Sequence, residues 1–175
     1  MNKATAPKKD APPIAAETRI GHIHLKVSDL EQSVKFYTEV LGFQVMARMG
    51  ESAAFLSAGG YHHHIGLNTW ESAGGTPPPR GTTGLYHFAI LLPSRKELAR
   101  AILRLQAHNW PIDGAADHGA SEAIYLKDPD RNGIELYADR PREEWPRGKN
   151  GEVILCTHPL DIEALIAEYS ESLTK

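Results

Sequence analysis

The 175-residue chain has a single cysteine, little net charge and no long apolar run. Because Cys156 has no partner within the chain, we expect a fold held by its hydrophobic core in a reducing cytoplasm. No stretch reaches the roughly 18 consecutive apolar residues of a transmembrane helix, so we expect no membrane span. A net charge of −3 gives no electrostatic basis for binding nucleic acid or an anionic membrane surface.

Sequence patterns for several common functions are also missing. No glycine cluster follows a strand and opens a helix, as a nucleotide-binding loop requires, and no serine lies in a nucleophile elbow. Residues 1–18 lack the apolar core of a secretory signal and predict a flexible N-terminal arm. Histidine, in contrast, is frequent, with nine in the chain. Its side chain is the one most often used to bind metals or carry protons near neutral pH.

Residues 19–72 predict a strand, a helix and three further strands. Alternation from Ile20 to Val27 predicts a half-buried first strand with His22 and His24 on its more polar face. The spacing of Ser28-Asp29-Leu30-Glu31 is that of a capping box, so we expect Ser28 to cap a helix there. Three strand candidates follow the helix, at 43–49, 53–57 and 62–68.

The same order of elements returns in residues 85–141, after a linker at 73–84 rich in glycine and proline. His87 lies on the first strand of this second unit, and Ser94-Arg95-Lys96-Glu97 repeats the capping spacing. Three strand candidates follow, at 112–113, which is weak, 122–126 and 133–138. The chain therefore contains an internal repeat.

The repeat predicts an α+β fold of two βαβββ modules, whose mixed sheets curl into an open cup with the helices outside. Residues 142–175 form a charged, proline-rich C-terminal extension. It contains a terminal helix at 161–173, which we expect to pack against the body or against a second subunit.

Strand alternation places three potential metal ligands on the cup face. They are His22, His87 and Glu135. Two imidazoles and one carboxylate bind one face of a six-coordinate metal and leave other positions open, an arrangement associated with non-haem Fe(II) oxygenases. His24 shares the face of His22 and is an alternative ligand or a lining residue.

A cluster of histidines, Tyr61 to His64, supplies a further cup-facing residue. Strand parity favours His64, because Ile65 and Leu67 would face the helices. A bulge at Gly59-Gly60 would shift the strand and favour His63. Both interpretations remain open on the sequence.

The stretch from Ile20 to Phe43 resembles the opening of the vicinal oxygen chelate superfamily, and its metal position matches His22. That superfamily includes glyoxalase I, extradiol ring-cleaving dioxygenases, fosfomycin-resistance enzymes and bleomycin-binding proteins. The resemblance extends from about Ile20 to Trp145, which is most of the chain. It implies the same cup-shaped fold.

The later part of the chain resembles one branch of that superfamily, the catechol-2,3-dioxygenase-type proteins. The extradiol signature is matched in register by His118, Ile124, Tyr125, Asp128, Pro129 and Glu135. The resemblance implies that His22, His87 and Glu135 bind the metal and that His118 and Tyr125 hydrogen-bond to substrate or oxygen intermediates. It also implies that His63 or His64 is the acid/base. Arg131 stands where glycine or proline is usual, so we expect Gly133 to supply the turn.

The resemblance implies an Fe(II)-dependent extradiol dioxygenase that cleaves a small aromatic diol with O₂, forms a homodimer and binds neither nucleic acid nor membrane. Mn(II) would fit the same ligands. The alternative is a glyoxalase I-like lyase or isomerase, in which His64 would be a fourth ligand and the metal would be Zn or Ni. A third class is a drug-binding resistance protein without catalysis.

Overall fold

The computed structural model describes residues 12–172, so most of the predicted arm at 1–18 and the end of the predicted terminal helix lie outside the described residues. The first module forms a four-stranded mixed sheet in the order β1-β4-β3-β2, with β1 parallel to β4. Its elements are β1 (Ile23–Lys26), α1 (Leu30–Lys35), β2 (Gln44–Met49), β3 (Ala53–Ser57) and β4 (Ile65–Asn68).

The start of α1 differs from the expected capping box. Asp29 is the N-cap, and its Oδ1 accepts a hydrogen bond from the Gln32 amide at 2.9 Å. The expectation that Ser28 caps this helix is therefore wrong. The backbone amide of Ser28 donates instead to Oδ2 of Asp130 at 3.0 Å. This hydrogen bond links the residue before the N-cap to the second module. The helix continues from α1 as a π-helical turn, Phe36–Val40.

The second module repeats this topology in a five-stranded mixed sheet of order β5-β8-β7-β6-β9. Ser94 caps its helix as predicted, with Oγ accepting from the Glu97 amide. The weak strand predicted at 112–113 is wrong, because strand pairing begins at Gly114, opposite Tyr125. The elements are β5 (Phe88–Leu91), α2 (Arg95–Ala107), β6 (Gly114–Asp117), β7 (Ser121–Lys127), β8 (Gly133–Asp139), β9 (His158–Pro159) and α3 (Ile162–Ser172).

The two modules share one buried core, and the turn at 128–132, between β7 and β8, contacts the first module. The buried hydroxyl of Tyr37 donates to Oδ2 of the buried Asp128 at 3.0 Å. Burial raises the pKa of both groups. The rings of Phe36 and Trp110 pack against each other at 4.5 Å beside this contact.

The turn at 128–132 has an unexpected backbone conformation. Arg131 adopts a left-handed conformation with φ of 65°, which is strained for a residue with a side chain. Gly133 does not have a positive φ, so the expectation that it supplies the turn is wrong. Asn132 stabilises the loop through two hydrogen bonds to the Asp128 carboxylate, each 2.8 Å long.

The C-terminal extension packs on the second module. The strand β9 pairs with β6, and Leu165 of α3 is buried in the common core. Arg95 at the start of α2 bonds Glu168 of α3, and the Lys96 ammonium lies over the Tyr169 ring.

The predicted α+β fold of two βαβββ modules is confirmed. The strands of each module form a mixed sheet of their own. The boundaries assigned to the arm, modules, linker and extension stay predictions. Across residues 12–172, none of the helices combines the length and the apolar character needed to cross a membrane.

Candidate active site

His87 and Glu135 meet at the start of the second sheet. The parallel register of β5 and β8 pairs Ala89 with Glu135, so His87 extends over Gly133 toward the carboxylate. A β-carbon at Gly133 would overlap the carbonyl oxygen of Tyr86 and crowd His87, so glycine is needed for this approach. His87 Nε2 lies 2.9 Å from Oε2 of Glu135, and both side chains are partly exposed.

Tyr125 lies directly opposite Glu135 in the antiparallel pairing of β7 and β8. Its hydroxyl lies 3.1 Å from Oε1 of Glu135. Burial, together with the negative charge of Glu135, raises the pKa of Tyr125 to about 12, so the phenol is neutral at physiological pH.

His118 follows β6 and extends the same hydrogen-bonded chain. Its Nε2 lies 2.6 Å from the Tyr125 hydroxyl, and its Nδ1 lies 2.8 Å from the carbonyl oxygen of Cys156. A carbonyl only accepts hydrogen bonds, so Nδ1 carries a proton. In a neutral imidazole, Nε2 is then an acceptor, so the Tyr125 hydroxyl, which donates to Oε1 of Glu135, has two acceptors for its single proton.

The first module carries a different group, built from histidine and aromatic rings. The rings of His22 and His63 are 4.4 Å apart, and the Phe55 ring packs against His63 at 5.2 Å. His62 and His63 bring their Nδ1 atoms to 2.8 Å. Burial lowers the pKa of His63, and the charges of the surrounding histidines lower it further.

His24 and His64 occupy other positions on this sheet. The His24 ring lies between Phe55 and Trp70, and its pKa is lowered, first by burial and then by His22. Nδ1 of His64 lies 3.0 Å from Oγ of Ser57, so His64 is bound to β3. Of the two histidines left open by the sequence, His63 is the one whose ring contacts His22.

Strand register shows which residue of the first module corresponds to Glu135. Glu135 pairs with the residue two positions after His87, and Gly66 pairs with His24, two positions after His22. Gly66 therefore occupies the Glu135 position. A β-carbon there would lie 2.9 Å from the His24 ring, so that ring covers the place a ligand would need.

The structure brings the predicted residues together in two groups. His87, Glu135, Tyr125 and His118 form one, and His22 and His63 form the other. Between residues 12 and 172, no three histidine, cysteine, aspartate or glutamate side chains are arranged to hold one metal ion. The first group lies on and beside the second sheet, where β5 pairs with β8, and the second group lies beside the first sheet, where β1 pairs with β4.

The His87–Glu135 pair fits part of an octahedral metal site. Two ligand atoms at about 2.1 Å from a metal, on adjacent octahedral positions, lie about 3.0 Å apart. The 2.9 Å between Nε2 of His87 and Oε2 of Glu135, which here is the distance of a direct ion pair, is close to this spacing. An imidazole and a carboxylate also suit Fe(II), Mn(II) or Zn(II).

Sequence reasoning missed two contributors to this site. The carbonyl of Cys156 is a backbone atom, so no side-chain pattern indicates it. Arg140 bonds both Asp117 and the Gly119 carbonyl, the residues on either side of His118, but in sequence it is an ordinary charge at the end of a strand.

Comparison with known proteins identifies the family. Residues 19–136 match the model of the Glyoxalase/Bleomycin resistance protein/Dioxygenase superfamily. The chain is 48% identical to a catechol-2,3-dioxygenase of Bacillus subtilis over 155 residues, which are 89% of this chain. The match covers only 53% of the length of that relative. It is 30% identical to a probable lactoylglutathione lyase of Vibrio parahaemolyticus, covering 70% of this chain and 91% of that protein.

A solved structure supports the fold. A glyoxalase/dioxygenase from Nostoc punctiforme superposes with a TM-score of 0.60 over 81% of this chain and 99% of that one, at 20% identity. With the match to the family model over residues 19–136, this shows that the chain belongs to the glyoxalase/bleomycin resistance protein/dioxygenase superfamily.

Proposed function

We propose that this chain is a metal-dependent extradiol dioxygenase, which cleaves a catechol-type ring with O₂. The observation that carries the proposal is the hydrogen-bonded chain from Glu135 through Tyr125 to His118. A carboxylate that binds metal, with a phenol and an imidazole beside it, provides both a metal ligand and polar groups for an oxygen substrate. The 48% identity to the Bacillus subtilis catechol-2,3-dioxygenase supports the same activity.

Three side chains would hold the metal, which we propose is Fe(II). His87 and Glu135 would bind it from the second module, and His22 would complete the set from the first, which requires the two groups to come closer together than they lie in this structure. When bound, Fe(II) would supply open positions for the two hydroxyls of the substrate and for O₂. The proposed assembly is a homodimer.

The remaining residues act on protons and on the position of the ring. His63, next to His22, would take a proton from a substrate hydroxyl and return it to the product. Nε2 of His118 would accept a hydrogen bond from a substrate hydroxyl, and the Tyr125 hydroxyl would donate one to a substrate oxygen. Phe55, which contacts His63, gives the aromatic ring an apolar surface.

The register of β4 supports this activity over a glyoxalase I-like one. A fourth ligand in the first module would be expected at the position equivalent to Glu135, where this chain has Gly66. His64, the candidate fourth ligand, is hydrogen-bonded to Ser57. A set of three ligands, which leaves more positions open, supports a dioxygenase.

The test is anaerobic reconstitution of the full chain with Fe(II), followed by catechol and air. We expect oxygen uptake and a yellow ring-opened product. Turnover of methylglyoxal and a thiol with Ni(II) or Zn(II), without oxygen uptake, would replace the proposal with a glyoxalase-type activity. Stoichiometric binding of a bleomycin-type drug by a protein that takes up no metal would indicate the third class.

A further inference from the structure

His118 lies in a tight turn between β6 and β7, and Arg140 holds this turn from one side. Nη1 of Arg140 donates to Oδ1 of Asp117 at 2.5 Å and to the carbonyl of Gly119 at 3.0 Å. Nη2 donates to Oδ2 of Asp117 at 3.0 Å. One guanidinium therefore ties together the two residues that flank His118.

The orientation of Arg140 is itself fixed. Its Nη2 also donates to Oε1 of the buried Glu122 at 3.0 Å, and its backbone amide donates to the carbonyl of Ala120. The hydrogen bonds to Arg140 hold the pKa of Asp117 at about 2, so this carboxylate is ionised at neutral pH. A bidentate guanidinium–carboxylate contact is directional, and lysine cannot reproduce it.

The C-terminal extension holds His118 from the other side. The amide of Cys156 donates to the His118 carbonyl at 3.3 Å, and the carbonyl of Cys156 accepts from Nδ1 of the ring at 2.8 Å. The next residues continue as β9, which pairs with β6 at Ala116 and Asp117. Both the backbone and the ring of His118 are therefore bonded to residue 156.

We propose that Arg140 and the Cys156 carbonyl are positioning groups, which together fix the tautomer and orientation of the His118 ring. The carbonyl holds the proton on Nδ1, and Arg140 holds the turn at the distance that this bond requires. Nε2 is then directed at Tyr125. The effect on catalysis rests on the proposed function, whereas the tautomer and ring orientation do not.

Arg95 provides a matched control. Its Nε donates to Oε2 of Glu122 at 2.5 Å, so it contacts the same buried carboxylate as Arg140, and it also bonds Glu168. Arg95→Gln removes an ion pair to Glu122 without removing a contact to the His118 turn. Arg140→Gln removes both.

The test is side-chain nitrogen NMR of the metal-free full chain with ¹⁵N-labelled histidine, with His118→Gln used for assignment. We expect the wild type and Arg95→Gln to show protonated Nδ1 and unprotonated Nε2 at His118. Arg140→Gln should lose this pattern and show averaged nitrogens. A wild-type ring protonated on Nε2 alone, or an unchanged ring in Arg140→Gln, would overturn the proposal.

Kinetics give the second readout if the chain has the proposed activity. Loss of a group that orients a catalytic residue lowers kcat about 10- to 100-fold, and KM should change much less. Arg95→Gln should stay within about threefold. If Arg140→Gln does not fold, Arg140→Lys replaces it, and the NMR pattern should again be averaged because the bidentate contact is lost. Expected NMR shifts without ring cleavage would reject the proposed function and leave the positioning role intact.

Discussion

Each module places a histidine just before its first strand, but His22 and His87 meet different neighbours. Two positions further along, the paired residue of the last strand is Gly66 in the first module and Glu135 in the second. The His24 ring covers Gly66, whereas Glu135 reaches His87 and Tyr125. The same topology therefore supplies one potential ligand from the first module and two from the second.

The two sheets also differ in how their outer strands are covered. All six residues of β2 at the edge of the first sheet are exposed, including Met46 and Met49. At the equivalent edge of the second sheet, β9 pairs with β6, and α3 packs on the adjacent helix α2. The hydrogen-bonded group thus lies in the covered module, and the group of tilted and edge-to-face rings lies in the open module.

The largest expected effect is on Fe(II) affinity, and it shows whether both modules contribute a metal ligand. Glu135→Gln and His22→Ala should each weaken Fe(II) binding at least about 100-fold, because loss of a ligand exceeds the usual 10- to 100-fold effect of its supporting groups. His24→Ala, on the same strand face as His22, should change binding less than about threefold. Anaerobic competition with a colorimetric chelator measures these affinities. Unchanged binding in His22→Ala would confine the metal to the second module.

The next effect distinguishes the two histidines that the sequence left open. His63→Ala should lower kcat about 100-fold, because general acid–base catalysis typically contributes 10²- to 10⁴-fold. His64→Ala should lower it less than about fivefold, since His64 is bonded to Ser57 and does not share the contact to His22. Steady-state oxygen uptake measures both variants. The reverse order of effects would assign the proton transfer to His64.

A third effect concerns the contact between the modules. Tyr37→Phe removes the hydroxyl that donates to the buried Asp128, and it should lower the free energy of unfolding by about 2 kcal/mol, as for other hydrogen bonds to charged groups. Tyr61→Phe, at an exposed tyrosine of the same module, should change it by less than about 0.5 kcal/mol. Urea unfolding measures both. Equal effects would mean that the Tyr37–Asp128 bond does not stabilise the interface between modules.

The sequence predicted the features that follow from strand alternation and from the internal repeat. Strand alternation and the repeated spacing ahead of each helix located His87 and Glu135 on one face, and the register of β5 and β8 agrees. It could not predict that α1 begins after Asp29, because Ser28 and Asp29 are both good caps and a distant residue, Asp130, decides between them.

The contacts made by the C-terminal extension could not be predicted from the sequence for another reason. The Cys156 carbonyl and the ion pairs of Arg140 depend on the path of the chain after residue 141, and no periodic pattern encodes that path. The equivalence of Gly66 and Glu135 likewise required strand register, whereas strand parity in the sequence favoured His64 as the cup-facing residue.

A smaller effect tests the ionic contacts of the covered module as a function of pH. The native pKa of Asp117, about 2, lies below its unfolded value of 3.8, because Arg140 and Gly119 bond the carboxylate and His158 adds a favourable charge. Its contribution to stability is therefore present above pH 3.8 and is lost as the pH falls toward 2. Because both side chains are about a quarter exposed, solvent screening limits this contribution to about 1 kcal/mol.

Urea unfolding of the wild type and Asp117→Asn at pH 5 and pH 3 measures this contribution. The difference between the two proteins should shrink at pH 3 by about half of this contribution of about 1 kcal/mol, because pH 3 lies between the two pKa values. Asp128 has a raised native pKa, which acts in the opposite direction, but it is common to both proteins and cancels in the difference. A difference that is the same at both pH values would show that the Asp117–Arg140 contact contributes little.

The smallest effect compares the turns that precede the last strand of each module. The first turn uses Gly59 and Gly60 at φ of 67° and 79°, whereas the second uses Arg131 at φ of 65°. A side chain in this conformation costs about 1–2 kcal/mol, and the greater freedom of glycine in the unfolded chain returns about half of that. Arg131→Gly should therefore raise the free energy of unfolding by about 0.5–1 kcal/mol, and Gly60→Ala should lower it by a similar amount.

Asn109→Gly, at φ of 51°, should raise the free energy of unfolding by less than Arg131→Gly, because asparagine tolerates this region. Thermal and urea unfolding measure all three, and a destabilised Arg131→Gly would mean that the Arg131 side chain offsets its own backbone strain.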